Sequence, residues 1–246
     1  MTDISTQTRA LLLDIEGTVT PISFVHDVLF PFARNHVKEF LIQHSAETEV
    51  QADIGALVRE HAVEVENGAQ PPSVGAASID VLVAYANWLI DRDRKSPALK
   101  SLQGKIWKQG YLEGTLKAPL FNDVVPSLRR LRTKGLRVAI FSSGSVLAQK
   151  LLFAHTETGD HTDLIDTYFD TGVGSKMEAE SYRRIAQQLG LEAHAIVFVS
   201  DVFNELTAAR EAGMKTLLCV RPGNPVQPQK EFERIHTFSE VLPTSD

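Results

Sequence analysis

Four short apolar runs, residues 10–15, 137–141, 195–199 and 216–220, constrain the fold of this chain more than any other feature. A weaker run covers 167–170. The later runs alternate with segments of helical spacing. In 123–134, Val124, Leu128 and Leu131 share one face, and Gly135 stops the pattern. Residues 145–154 follow the second run, 178–189 stop at Gly190, and 203–212 stop at Gly213. Apolar periodicity closed by glycine predicts helices. Uninterrupted apolar strands joined by such helices predict an α/β fold, a doubly wound and mainly parallel sheet covered on both faces.

Residues 20–118 break this alternation. They show no strand pattern and read as helices over 24–43, 48–65, 78–92 and 97–111. A loop at 68–75 contains Pro71 and Pro72. The first strand is therefore cut off from its sheet by an all-helical insert. The expected domains are a discontinuous core, 1–19 and 119–246, and an inserted domain, 20–118. A length of 246 residues with 43% hydrophobic content is enough for one large core or two modest ones.

Composition removes several classes of function. A formal net charge of −6 and the lack of a basic block argue against nucleic-acid binding. The single cysteine, Cys219, cannot form an internal disulfide, which suits a reducing compartment; it reads as a buried strand thiol. No apolar stretch is long enough to cross a bilayer. The N-terminal run is too short for a signal-peptide core and meets Asp14 and Glu16 at once. The expectation is a cytoplasmic protein with no membrane partner.

In open parallel sheets, ligands gather beyond the carboxyl ends of the strands. The first run ends in Asp14 and Glu16, the second in Ser142-Ser143-Gly144-Ser145. The weak run leads through Gly172-Val173-Gly174-Ser175 to Lys176. The third of the strong runs leads into Ser200-Asp201, with Glu205 one helical turn later. Clustered carboxylates ionise together only with a cation among them. Oxygen ligands few in number suit Mg²⁺, which keeps waters and joins phosphate oxygens. Hydroxyls, N–H groups at a helix start and a lysine suit a phosphoryl group. One carboxylate is then free to attack phosphorus.

Each residue also has a plainer reading. Asp201 and Ser145 could cap the helices that follow them. Ser142 could serve a turn, and Lys176 could be a solvated residue before a helix. Asp14 is the hardest to explain away, because a carboxylate directly after three leucines is costly to bury unless neutralised. Gly172 to Lys176 is not a Walker loop, since the glycine before the lysine and the hydroxyl after it are missing. His155, Glu157, Asp160, His161 and Asp163 have no metal spacing and read as a hydrated loop. Trp88, Trp107 and Tyr111 read as helical core, although Trp107 and Tyr111 lie close to the return into the sheet and could face the site.

Taken in order, Asp14-Ile15-Glu16-Gly17-Thr18, the strand ending in Ser142, Lys176 and Ser200-Asp201 resemble the haloacid-dehalogenase superfamily. Most of its phosphatases carry Asp-x-Asp where this chain has Asp14 and Glu16. That departure, with Phe141 to Ser145, Gly104-Lys105-Ile106-Trp107, Gly110-Tyr111 and Arg221-Pro222-Gly223-Asn224, resembles the enolase-phosphatase family of methionine salvage. The resemblance implies a bifunctional enzyme. It would enolise 2,3-diketo-5-methylthiopentyl-1-phosphate and then remove the phosphate, giving 1,2-dihydroxy-3-keto-5-methylthiopentene. It implies one Mg²⁺ per subunit, Asp14 as nucleophile and metal ligand, and Glu16 as a metal ligand through its main-chain carbonyl and as acid and base through its side chain. Asp201 would complete the metal site, Ser142, Ser143 and Lys176 would hold the substrate, and 20–118 would be the cap domain. A monomer acting on a small molecule is expected. Two other readings stand beside this one: another Mg²⁺-dependent phosphatase or phosphotransferase of the superfamily, and a non-catalytic binding module.

Overall fold

The computed structural model describes residues 7–74, 78–92, 94, 96–226 and 231–241. The chain forms two compact units, one of Met1–Val25 with Lys117–Asp246 and one of His26–Leu116.

The first unit is built on a six-stranded parallel sheet. Its strands are β1 (Ala10–Leu13), β2 (Arg137–Phe141), β3 (Thr167–Phe169), β4 (Ile196–Ser200), β5 (Lys215–Cys219) and β6 (Glu233–Ile235), in the order β3-β2-β1-β4-β5-β6. Parallel neighbours need crossovers, which α5 (Val124–Thr133), α6 (Val146–Ala154), α7 (Ala179–Leu189) and α8 (Phe203–Glu211) help supply. β1 lies at the centre, with Leu13 opposite Ile140 on one side and Val199 on the other. Side chains alternate across a strand, so Leu12 faces one layer and Leu11 and Leu13 the other. All of them are fully buried, so helices cover both faces. On the Leu12 face, Phe141, Phe198, Tyr182, Ile185 and Leu206 form one cluster. Phe141 and Phe198 pack edge-on against Tyr182, with ring centroids 5.5 and 5.0 Å away.

The second unit is helical: α1 (Phe30–His44), α2 (Thr48–Glu66), α3 (Ile79–Ile90) and α4 (Pro97–Leu112). Val37, Leu41, Leu57, Leu82, Tyr85 and Leu102 make its core. Ser96 caps α4 by accepting from Leu99 N at 2.9 Å, and Pro97 follows at a position where its missing N–H costs nothing. A Lys105–Asp53 ion pair of 2.5 Å joins α4 to α2. Trp107 is buried, and its Nε1 donates to Leu29 O at 2.8 Å.

The sequence pattern misplaces several boundaries. A single helix over 24–43 is expected, but Phe24–Leu29 winds as a π-helical segment and α1 starts only at Phe30. Pro31 has no N–H to continue the preceding ladder, so the wider turn ends there. The first strand stops at Leu13 rather than residue 15, because the chain turns at once into a tight loop. β6 is not foreseen at all: three edge residues with one apolar side chain carry no period. Gly75, the end of the expected 68–75 loop, lies outside the described residues. The 155–163 segment is less hydrated than expected. His161 and Thr156 are buried, and Thr156 bridges to Ala118.

Leu12 packs on both neighbours of the central strand and has no solvent contact. Leu12→Ala is expected to cost about 2–5 kcal/mol through lost contacts and a residual cavity. Urea unfolding should show this as a lower midpoint. A midpoint shift under a tenth of the wild-type value would mean the layer is far more loosely packed than the structure shows.

Candidate active site

In this strand order the direction of winding reverses between β1 and β4, which opens a crevice at their carboxyl ends. Asp14 and Asp201, each the first residue past its strand, flank that crevice. Both are buried, at 4% and 5% exposure. Asp14 N donates to Val199 O at 3.0 Å, so the ladder runs one residue beyond β1. The chain then doubles back. Ile15 O accepts from the N–H groups of Thr18, Val19 and Thr20, and Gly17 N donates to Thr20 O at 2.8 Å. Gly17 has φ 71°, and a Cβ there would run into the Asp201 carboxylate. Glycine is required at this position for backbone conformation and for space alike.

Lys176 reaches this crevice from the loop after β3. Its Nζ lies 2.5 Å from Asp14 Oδ1 and 2.7 Å from Glu205 Oε2, with only 7% of the residue exposed. Ser200 Oγ donates to the same Glu205 oxygen at 2.9 Å. Tyr182 OH donates to Lys176 O at 2.8 Å and fixes the loop from below. Gly174 in that loop packs so closely on Ser181 that a Cβ would collide with its hydroxyl.

The electrostatics are unbalanced. Burial works against the charge on Lys176, but Asp14 and Glu205 together raise its pKa above the ordinary lysine value. Burial, then the charges of Asp14 and Glu205, push Asp201 up to about 7. Burial and Asp14 push Glu205 up to about 7 as well, against the pull of Lys176 and Ser200. Asp201 Oδ1 is buried and has no hydrogen-bond partner. Three buried carboxylates thus share one ammonium group, and the unpartnered oxygen marks where positive charge is missing.

The residues fit a small hard cation. Among the described residues, no three His, Cys, Asp or Glu side chains are arranged as a closed metal cage. The Asp14 and Asp201 carboxylates make a smaller donor set, which suits Mg²⁺ because that ion retains water and completes its shell with phosphate oxygens.

The structure sorts the residues singled out from sequence. Asp14, Lys176, Asp201 and Glu205 come together. Lys176 is buried rather than solvated, and α7 starts only at Ala179. Asp201 is not a helix cap, since Val202 holds that position. Ser145 is one: its side chain accepts from Ala148 N. Ser142 is buried and its Oγ accepts from Gly144 N at 3.0 Å, shaping the turn after β2, while Ser143 is exposed on the same turn. Glu16 is half-buried in the turn after β1, where it bridges to Thr20. The Lys176–Glu205 pair and the Tyr182 strut carry no sequence signal beyond the position of Glu205 one turn into α8. A surface concavity of about 680 Å³, lined by Gln7, Arg9, Gln187, Glu192 and His194, lies at the opposite, amino end of the strands and holds none of these groups.

The sequence profile of the haloacid dehalogenase-like hydrolases matches residues 8–213. The chain is 50% identical over 231 residues to "Enolase-phosphatase E1" of Synechococcus elongatus, covering 94% of this chain and 96% of that one. It is 41% identical to the protein of the same name from Salmo salar, covering 97% and 96%. Among solved structures it resembles the UTR4 protein of Saccharomyces cerevisiae, with TM-score 0.77, 36% identity, and 95% and 99% coverage. CbbY of Rhodobacter sphaeroides, solved in complex with phosphate, shares the fold at TM-score 0.57 and 16% identity, over 95% and 96% of the two chains.

Because Asp201 and Glu205 hold protons more tightly when folded, the folded state binds more protons than the unfolded chain between about pH 4 and about pH 7. Their contribution to stability therefore falls as pH rises through that window. In metal-free buffer the melting temperature should drop from about pH 5 to about pH 8, and less so in Asp201→Asn, whose amide has no charge to bury. Added Mg²⁺ should recover most at the upper pH. Scanning calorimetry checks this, and an Mg²⁺ effect equal at both pH values counts against a cation at Asp201.

Proposed function

The chain belongs to the haloacid dehalogenase-like hydrolases and, among them, to the enolase-phosphatase E1 family, and on that premise we propose that it converts 2,3-diketo-5-methylthiopentyl-1-phosphate into 1,2-dihydroxy-3-keto-5-methylthiopentene and phosphate. The observation that carries this reading is the buried Lys176–Asp14 contact at the crevice between β1 and β4, beside the unpartnered Asp201 oxygen.

Asp14 is assigned as the nucleophile. Lys176 Nζ donates to its Oδ1 and fixes the carboxylate in a buried place. The side chains of Asp14 and Asp201 and the main-chain carbonyl of Glu16 would hold one Mg²⁺ per subunit. When bound, that ion supplies the positive charge that lets an anionic phosphoryl group approach an anionic carboxylate. Ser142, Ser143 and the N–H groups at the start of α6 are assigned to the substrate's phosphate, as helix N-termini favour anions.

The first step is enolisation. A base takes the proton from the carbon that bears the phosphate, and the electron pair moves onto the adjacent carbonyl oxygen. Glu16 is assigned to this task, since it reaches one methylene further than Asp would. In the second step an Asp14 oxygen bonds to phosphorus as the ester P–O bond breaks, and Glu16 in its acid form protonates the departing oxygen. Water then attacks the aspartyl phosphate and gives its proton to Glu16, releasing phosphate and restoring Asp14; passing that proton to the enolate oxygen completes the second hydroxyl of the product and returns Glu16 to its base form. The helical unit is assigned the role of the family's cap domain. A reducing, cytoplasmic setting suits the buried free thiol of Cys219, and no described helix is long and apolar enough to cross a membrane.

The direct test follows product absorbance and phosphate release from the diketone, with simple phosphate esters as competitors. Turnover should require Mg²⁺. A simple ester turned over better than the diketone would favour a general phosphatase instead.

Asp14→Asn should abolish phosphate release, because an amide is a poor nucleophile and a weaker metal ligand. Its circular dichroism should match wild type. A phosphoryl-mimic adduct found on a serine or histidine would refute the assignment. Glu16→Asp should separate the two steps. An acid or base acts only within hydrogen-bond reach and contributes about 10²- to 10⁴-fold there. Hydrolysis of simple esters should fall by roughly tenfold or less, whereas enolisation should fall further. Stopped-flow absorbance resolves both steps, and equal losses would mean the extra methylene has another purpose.

A further inference from the structure

The turn bearing Asp14 and Glu16 is held from outside by a segment that the reaction leaves unused. Asn224 Nδ2 donates to Gly17 O at 2.9 Å, and Arg221 Nε donates to Thr18 O at 3.2 Å. Two successive carbonyls of the turn are thus gripped by side chains more than two hundred positions away in sequence. Arg221 is itself locked. Its Nη1 and Nη2 donate to the two Asp123 oxygens at 2.9 Å each, and Nη1 also donates to His236 O at 2.9 Å. Its guanidinium lies 4.4 Å from the Phe121 ring centre and 5.3 Å from that of Phe238. Asp123 Oδ2 accepts from Phe238 N at 2.6 Å. A guanidinium with its donors engaged and two rings beside it has little freedom to move.

The second contact concerns spacing. A Cβ placed on Gly17 would collide with the Asp201 carboxylate and stand 3.0 Å from Asn224 Oδ1. Gly17 is therefore enclosed by the Asp201 carboxylate and the Asn224 amide. We propose that Asn224 and Arg221 are positioning residues that set the distance between the Asp14–Glu16 turn and Asp201, and so tune the affinity of the divalent-cation site. This rests on the assignment of Mg²⁺ to Asp14, Asp201 and the Glu16 carbonyl. Mg²⁺ demands near-ideal octahedral geometry at short distances, so small shifts of its donors are costly. Groups that orient ligands without touching the ion typically account for about 10- to 100-fold in affinity. The turn keeps its own bonds to Ile15 O without the clamp, so loss of the clamp loosens the donors rather than unfolding the loop.

The test is Mg²⁺ binding by isothermal titration calorimetry, with the melting temperature of the metal-free protein as control. Asn224 is half-buried and uncharged, so Asn224→Ala leaves no orphaned charge behind. It should weaken Mg²⁺ binding about tenfold while the metal-free melting temperature stays near wild type. Arg221→Lys keeps a charge opposite Asp123 but gives up the fork and the bond to Thr18 O. It should also weaken Mg²⁺ binding, and if it does not fold, Asn224→Ala decides. Wild-type Mg²⁺ affinity in Asn224→Ala overturns the proposal and leaves the residue only a structural part. A wild-type protein that binds no Mg²⁺ removes the metal assignment itself, and this proposal with it.

Discussion

The excess of negative charge at the carboxyl ends of β1 and β4 is the constraint on which the rest of the site depends. Asp14, Asp201 and Glu205 are all nearly inaccessible to water, and among the described residues it is Lys176 that pairs with Asp14 and Glu205. Removing one partner of a buried ion pair is strongly destabilising, because the charge left behind has neither water nor counter-ion. The arrangement holds only because the scaffold forces it. β1 and β4 must be adjacent, the loop after β3 must deliver Lys176, and Tyr182 must pin that loop. Such a site stores its instability at the place where a cation would relieve it.

A second layer of polar contacts fixes the turn after β1. Ile15 O gathers three N–H groups, while Asn224 and Arg221 take the next two carbonyls. Phe121 N donates to Val19 O at 3.0 Å, and Thr20 Oγ1 donates to Pro119 O at 2.5 Å. The two passages of the chain between the sheet unit and the helical unit are therefore stitched to each other within the sheet unit. Arg221 joins both, through Thr18 on one side and Asp123 on the other. The turn that follows the proposed nucleophile and the chain segment at Asp123 are thus held by the same buried guanidinium.

The helical unit follows a different logic. Its stability comes from apolar faces, with Tyr85 fully buried and edge-on to His61 at 4.9 Å, and from the Lys105–Asp53 link. Gly110 packs on Phe32 with no room for a side chain, which lets α4 lie close to the start of α1. None of this chemistry needs a charge cluster. The division of labour is one unit that bears the charge cluster and another whose interior is mainly apolar packing.

Much of the fold was legible in the sequence, because burial and backbone period act locally. Leu11 to Leu13 followed by Asp14, or Ile196 to Val199 followed by Ser200 and Asp201, mark strands that end in polar groups whatever lies beside them. Glycine stops and the Ser145 cap were legible for the same reason. Pairing was not. Lys176 taken alone reads as a solvated residue, and only the crossover that brings it 162 positions back to Asp14 buries it. Glu205, Tyr182, Arg221 and Asn224 acquire their roles in the same way, from neighbours set by strand order rather than by spacing along the chain. The sequence by itself determined which chemical groups stand at the strand ends. The tertiary structure decided which of them share one low-dielectric pocket, because Coulomb energy and desolvation depend on distance through space and not on distance along the chain.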